Sequence, residues 1–369
     1  MLVMWLIGGV LIYLAIAKDY EPMLLLPIGF GAILVNLPFS TVLEFEGAKG
    51  FLQILYESGI ETELFPILIF IAVGAMIDFS PLLKNPKMIL FGAAAQFGIF
   101  ATVFMALALG HFFPNLGIGL KEAASIGIIG AADGPTTIFV ASKFAKNMLG
   151  PLSVAAYSYM SLVPIIQPPV IKMVTTKKDR LIRMTYNERP VSRLALIIFP
   201  IAVTVISGLI APISVPLIGA LMFGNLVRAC GVLDRLSQAA QNELANLVTL
   251  LLGLTIGAKM HYTEFLTATT LMIMAMGLVA FVFDTIGGVL FAKLFNLFSK
   301  DKVNPMIGAA GISAFPMSSR VVHKMALAED PYNFILMQAT SANVAGQLGS
   351  VVAGGVILAL VPYLETLIR

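Results

Sequence analysis

The sequence predicts an all-α integral membrane protein built from two inverted-topology repeats, with broken helices meeting near the midplane and roughly 10–11 membrane segments. Three observations predict it. The 369-residue chain is 59% hydrophobic and only 12% charged, where an ordinary soluble protein carries about a quarter of its residues as charged side chains; soluble globular classes are excluded. Apolar runs near the roughly 20 residues needed to cross a bilayer recur at 2–17, 64–79, 88–113, 194–213, 266–298 and 332–364. A single long polar linker falls near the middle, and the punctuation on its two sides matches.

The first run lacks a basic start and passes into Lys18-Asp19 without a small-residue cleavage site, so it reads as a retained helix rather than a secretory signal. The organisation that follows is a first membrane repeat at 1–171, a basic linker at 172–193 and a second repeat at 194–369. The linker holds Lys172, Lys177, Lys178, Arg180, Arg183, Arg189 and Arg193 against Asp179 and Glu188. Between membrane spans such a cluster is a topology signal that places the loop in the cytoplasm, and no nucleic-acid partner is expected. One cysteine, Cys230, excludes an intramolecular disulfide and reads as a buried structural thiol.

Three sequence pairs recur in the same order. ILIFIAVGAMIDFSPLL around Gly74 resembles VTLLLGLTIGAKMHYTEFL around Gly257, and LPIGFGAILVN ending at Asn36 resembles VPLIGALMFGN ending at Asn225. IIGAADGPTTIFVASK at 128–143 matches MIGAAGISAFPMSSRVVHK at 306–324, each placing Gly, Pro and hydroxyl residues inside an apolar region. Gln96 and Asp284 occupy comparable places in the helices before these breaks.

The breaks carry the chemistry. Pro135 removes a backbone donor and clashes with the preceding turn, freeing a carbonyl at membrane depth, and Asp133 stands beside it. A buried carboxylate costs several kcal/mol unless it is paired or lines a watery cavity. Oxygen ligands from Asp, Asn, Ser, Thr and main-chain carbonyls suit a hard cation, so sodium or a proton fits best. Thr136 and Thr137 are candidates beside Asp133. QATSANVAGQLGS adds Gln338, Thr340, Ser341, Asn343 and Gln347 within one apolar helix, either as ligands or as interhelical hydrogen bonds worth about 1 kcal/mol each; for Asn343 the ligand reading is favoured.

Arg320, beyond the second break, is placed to hold an anion or to snorkel to the interface. Asp284 must be protonated or paired at its depth, and transport and structural pairing both remain open for it. Asp78 and Lys84 flank a helix end as interfacial residues, and His111, His261 and His323 form no metal-ligand spacing. No hydrolase triad, Walker loop or dinucleotide fingerprint is present. Read from the residues alone, the chain is a sodium- or proton-coupled transporter.

The segments GAADGPTTIF, YSYMSLVPIIQPPVIK, NPMIGAAGISAFPMSSR and ATSANVAGQLGS, together with DTIGG, resemble over nearly the whole chain the beta subunit of the sodium-pumping, biotin-dependent decarboxylases of oxaloacetate, methylmalonyl-CoA, glutaconyl-CoA or malonate. The resemblance implies a subunit of the bacterial or archaeal cytoplasmic membrane that receives carboxybiotin from a carrier protein. It releases CO2 with uptake of a proton and couples this to sodium export. It also implies an oligomeric complex with a biotin carrier, a carboxyltransferase (alpha) subunit and a small membrane (gamma/delta) subunit. Biotin itself is expected on the carrier, since IKMV at Lys172 lacks the first Met of an M-K-M turn.

Carried over residue by residue, the family's functional aspartate falls on Asp133 and its tyrosine on Tyr159. Its second-break cluster falls on Asn304, Gly308, Ser313 and Arg320, and its second-half asparagine on Asn343. The expected catalytic set is therefore Asp133, Tyr159, Arg320 and Ser313. Asn304, Gly308, Ser313 and Arg320 are expected to bind carboxybiotin, and Asp133 with Asn343, Thr340 and Ser341 to bind sodium. Desolvation favours loss of CO2 from carboxybiotin, and Tyr159 or Asp133 relays the proton. The rival reading is an autonomous sodium-coupled organic-anion transporter of similar architecture. An intramembrane protease, requiring Asp133 and Asp284 as a pair, is disfavoured because Asp133 has its own explanation at the break.

Overall fold

In the computed structural model, which describes residues 1–184 and 190–368, apolar helices follow one another from end to end. Glu188 and Arg189 of the basic linker lie outside the described residues. α1 (Leu2–Lys18) and α2 (Pro22–Val35) turn through Asp19 and Glu21, whose backbones are left-handed at φ 56° and 37°. After a two-stranded ribbon, β1 (Glu44–Phe45) against β2 (Ala48–Lys49), α3 (Phe51–Leu55) continues as a π-helical turn over Tyr56–Glu61 and bends by 61° into α4 (Leu64–Met76). A short α5 (Ser80–Lys84) leads to α6 (Met88–Ala95) and α7 (Phe97–Phe112), joined at Gln96. α8 (Leu120–Gly127), the break and α9 (Gly134–Phe144) precede the long α10 (Leu149–Val174). Lys172 lies in the last turn of α10, and the linker contains α11 (Lys177–Arg180).

The same order returns after the linker. α12 (Arg193–Ile210) and α13 (Val215–Ala229) form the hairpin, and α14 (Asp234–Ala239) passes through a π-helical turn at Ala240–Leu244 into α15 (Ala245–Ala258). A short α16 (Tyr262–Phe265), the long α17 (Ala268–Phe298), the broken pair α18 (Met306–Ala309) and α19 (Met317–Glu329), and α20 (Leu336–Ile368) complete the chain. Among the described residues five helices are long and apolar enough to cross a membrane, or up to seven if each bent pair is one span, with α1 and α2 as shorter apolar helices. The all-helical membrane class expected from composition is the class observed. Large apolar side chains face outward, among them Leu209, Ile210, Leu297 and Phe298, as a lipid-facing surface requires.

Packing is reciprocal between the halves: α2 lies on α15 and α13 on α4, while α6 lies on α20 and α17 on α10. Glycines permit the first two crossings. A Cβ on Gly257 would lie 2.3 Å from the Ile28 carbonyl oxygen, and one on Gly224 would lie 1.9 Å from that of Ile71. The two asparagines paired by sequence do the same work. Asn36 donates to the Met260 carbonyl at 2.8 Å just past the end of α15, and Asn225 donates to the Ile77 carbonyl at 2.9 Å just past the end of α4. Each satisfies a carbonyl that a helix end leaves without an intrahelical partner.

The broken pairs enter from opposite edges. Asn304, just before α18, donates to the carbonyls of Arg180 and Ile182 in the linker, and Glu329 at the end of α19 pairs with Arg180. Both ends of that hairpin therefore sit at the linker edge. α8 and α9 return to the other edge, where Lys121 pairs with Glu365 and Lys143 with Glu63.

Candidate functional site

The tips of the two hairpins touch inside the molecule. α8 tightens into a 3-10 turn at Ile128–Ala131, Ala132 takes a left-handed backbone at φ 53°, and Asp133 is extended. Pro135 then suits the first turn of α9, where its missing N–H has no helical partner to lose. Across the tip, the Ser313 amide donates to the Ala131 carbonyl at 3.0 Å, and the Ser313 hydroxyl donates to the Gly346 carbonyl of α20 at 2.9 Å.

Asp133 is the N-cap of α9, so its carboxylate faces the positive end of the helix dipole. The two oxygens differ. Oδ2 accepts from the Thr136 hydroxyl at 2.6 Å, the Ser350 hydroxyl at 2.8 Å and the Gln347 amide at 3.1 Å. Among the described residues Oδ1 accepts only the Thr136 backbone N–H, at 3.3 Å. A carboxylate oxygen has two lone-pair sites, so Oδ1 keeps bonding capacity. Asp133 borders a cavity of about 450 Å³, lined also by Tyr157, Ser313, Phe315, Gln347 and Glu21. Among the described residues no three His, Cys, Asp or Glu side chains cluster as a metal site; a cation here would be held by one carboxylate with hydroxyl and amide oxygens.

The other expected residues separate into several places. Asn343 donates to the Ile312 carbonyl at 2.6 Å, one helical turn from Gln347, and its Oδ1 is buried without a partner. Ser341 donates to the carbonyl of Pro81 or of Met337, and Thr340 is half-buried; neither bonds Asp133. Thr137 donates to the Asp133 main-chain carbonyl at 2.9 Å. Gln338 is buried, and among the described residues neither of its amide atoms has a partner.

The Tyr159 hydroxyl donates to the Met274 carbonyl and its ring packs on Gly277, so it ties α10 to α17 and does not border the Asp133 cavity. Asn304 spends its amide on the linker. Gly308 is a packing position, where a Cβ would lie 1.9 Å from the Gly288 carbonyl oxygen. Arg320 is exposed in the first turn of α19 and, among the described residues, has no ion-pair partner. Ser313 alone of the second-break set borders the cavity.

Asp284 caps α7 across the repeats: its Oδ1 accepts the Ile99 N–H at 3.1 Å, while Oδ2 is buried and unpartnered beside Gly130. Gln96 is its counterpart, with its amide donating to the Gly92 carbonyl at 3.0 Å and Oε1 unpartnered. Two residues at the site escaped the sequence reading. Ser350 lies seven positions after Asn343 and three after Gln347, on the same helical face, and that spacing was the available signal. Tyr157, not Tyr159, packs against Gly134 beside the cap.

The family model for the Na+-transporting oxaloacetate decarboxylase beta subunit matches residues 1–361. The chain is 48% identical to the methylmalonyl-CoA decarboxylase subunit beta of Propionigenium modestum, over 97% of this chain and 94% of that protein. It is 50% identical to the glutaconyl-CoA decarboxylase subunit beta of Acidaminococcus fermentans, over 97% and 92% respectively. With the oxaloacetate decarboxylase beta chain of Klebsiella pneumoniae the identity is 44%, over 96% and 94%. These relatives agree with the resemblance carried by the break motifs and do not favour an autonomous transporter; the chain belongs to the beta-subunit family of the Na+-transporting decarboxylases.

Proposed function

We propose that this chain is the subunit that decarboxylates carboxybiotin delivered by a separate carrier protein and uses the free energy to export sodium. One observation carries the sodium half. Asp133 stands where the tips of the two hairpins meet, with one carboxylate oxygen saturated by three donors and the other left with a single long contact beside a cavity. Donors on Oδ2 and the amino end of α9 orient the carboxylate, and Oδ1 is the oxygen offered to the cation. Thr136, Gln347 and Ser350 supply further oxygens, and the unpartnered Asn343 Oδ1 lies one turn away. Sodium sites at broken helices use this combination.

On the chemical side, the N–CO2 bond of carboxybiotin breaks, CO2 leaves, and the ureido nitrogen takes a proton. Removing water from its carboxylate favours that step. The exposed, unpaired guanidinium of Arg320 is suited to receive the anion, and Ser313 links that hairpin to the Asp133 tip. Tyr159 and Asn304 hold the helices and linker that fix this geometry. Moving one charge against 100 mV costs about 2.3 kcal/mol.

The repeats at 1–171 and 194–369 form the two sides of the pathway, and the linker at 172–193 faces the cytoplasm of a bacterial or archaeal cell. A biotin carrier, a carboxyltransferase (alpha) subunit and a small membrane subunit complete the assembly. The test is CO2 release from carboxybiotin on a biotinylated carrier, with sodium titrated from trace to saturation. Sodium-dependent release is expected, and Asp133→Asn should abolish it with membrane insertion unchanged. Full activity of that variant would overturn the role of Asp133.

A further inference from the structure

The cavity below Asp133 contains a second carboxylate that the break motifs do not explain. α2 has only 14 residues, about 21 Å of helix against a hydrocarbon core of about 30 Å. Asn36 anchors its end at the edge opposite the linker, through Met260. Its start therefore falls short of the linker edge, and Glu21, in a left-handed backbone at φ 37°, borders the cavity. The left-handed region is uncommon for a residue with a side chain and is retained where surrounding structure fixes it.

A polar stripe lines the facing wall. Gln241, Asn242, Asn246 and Thr249 border the cavity from the π-helical turn and α15, at spacings that keep them on one face. The stripe starts a few turns after Cys230, which Arg193 holds at the linker edge, and runs inward toward the level of Asp133. Gln241 and Asn242 donate only to their own helix one turn back, and among the described residues Asn246 and Thr249 have no side-chain hydrogen bond. Polar side chains at membrane depth that join no neighbouring helix belong to a water-filled space. The lining contains two carboxylates and no Lys, Arg or His.

We propose that this chamber is the access vestibule for sodium from the linker edge. Glu21 is the recruiting carboxylate, and Gln241, Asn242, Asn246 and Thr249 form the hydrated ladder to Asp133. The proposal rests on Asp133 being the sodium site. A cleft lined by one sign of charge raises the local concentration of its counter-ion, so Glu21 acts on the apparent sodium affinity rather than on the chemical step.

The assembled decarboxylase carrying Glu21→Gln is titrated with sodium while CO2 release is followed. The half-saturating sodium concentration is expected to rise about three- to tenfold, with a smaller change in kcat. The difference should shrink when choline chloride raises ionic strength from about 0.1 M to 1 M, where the screening length falls from about 10 Å to 3 Å. Glu21→Asp should recover part of the affinity. In a Cys230→Ser background, Asn246→Cys should react with a cationic, membrane-impermeant thiol reagent from the linker side. Sodium should slow that reaction and choline should not. An unchanged sodium titration in Glu21→Gln, or an Asn246→Cys that is unreactive from that side, overturns the vestibule. Loss of sodium dependence in the unsubstituted complex would instead overturn the reading of Asp133.

Discussion

Ser350→Ala isolates one donor on the Asp133 carboxylate. The hydroxyl has one proton and two acceptors in reach, Asp133 Oδ2 at 2.8 Å and the Gln347 carbonyl at 3.0 Å; the charged and closer oxygen takes it. Ser350 is fully buried, so no water replaces the lost bond. A hydrogen bond to a charged group contributes about 1.5–3 kcal/mol. Thr136 and Gln347 remain on Oδ2 at 2.6 and 3.1 Å, so the carboxylate stays cradled but its charged form is less favoured. Sodium requires that charged form, so the loss appears in sodium affinity. At about 1.4 kcal/mol per decade, half-saturating sodium should rise about tenfold or more. Sodium titrations of carboxybiotin decarboxylation and of the thermal shift of the purified complex read this independently. Ser142→Ala is the control, because among the described residues that buried hydroxyl bonds only the Phe139 carbonyl of its own helix. An unchanged sodium titration in Ser350→Ala, with the fold intact, would refute the assignment of Oδ2 as the held oxygen.

Gly224→Val places a Cβ 1.9 Å from a backbone oxygen that cannot move aside; α13 and α4 must separate, and stability should fall by about 2 kcal/mol or more. Gly219→Ala on the same helix meets nothing closer than 3.9 Å and should be neutral in the same thermal melt. In the linker, Asn304 and Asn333 donate to the same two carbonyls, Arg180 and Ile182. Hydrogen exchange at 178–184 should therefore rise more in the Asn304→Ala, Asn333→Ala double variant than the sum of the single variants. Hydrogen bonding from Arg183 holds the Asp330 carboxyl below the ordinary carboxylate range. A lowered native value means its contribution is complete above that range and disappears as pH falls through it. Linker exchange, corrected for its intrinsic pH dependence, should be level from pH 8 to about pH 5 and increase only near and below about pH 4.

Much of the fold was legible because membrane burial leaves few explanations for Gly, Pro, Asn and Asp inside apolar runs. Asn36 and Asn225 matched in sequence because each closes the end of a helix from the other half. Asp133 was readable because Pro135 both stops one helix and starts the next. The partners of Asp133 were less legible. In an apolar helix such as α20 the contrast between faces is weak, so rotational phase has to come from the polar residues themselves; Asn343, Gln347 and Ser350 mark it, whereas Ser341 bonds the Pro81 carbonyl on another side and Thr340 lies two turns before Gln347, short of Asp133. Tyr157 and Tyr159 differ by two positions, about 200° around a helix, which separates the cavity from the α17 contact. Asn304 could not be placed without the linker, because its partners are backbone carbonyls more than 120 residues earlier.

The exchanged crossings have a consequence for synthesis. As the chain emerges, α2 and α4 enter the membrane with their glycine grooves unfilled, since the helices that fill them are α15 and α13. The carbonyl that Asn36 closes lies 224 residues further along. Neither half can finish packing alone, and a nascent chain halted at the linker would hold open grooves and bare helix ends in the bilayer. Completion is thus a late, concerted event, and a fragment ending near residue 190 should be a substrate for membrane quality control rather than a stable half-transporter.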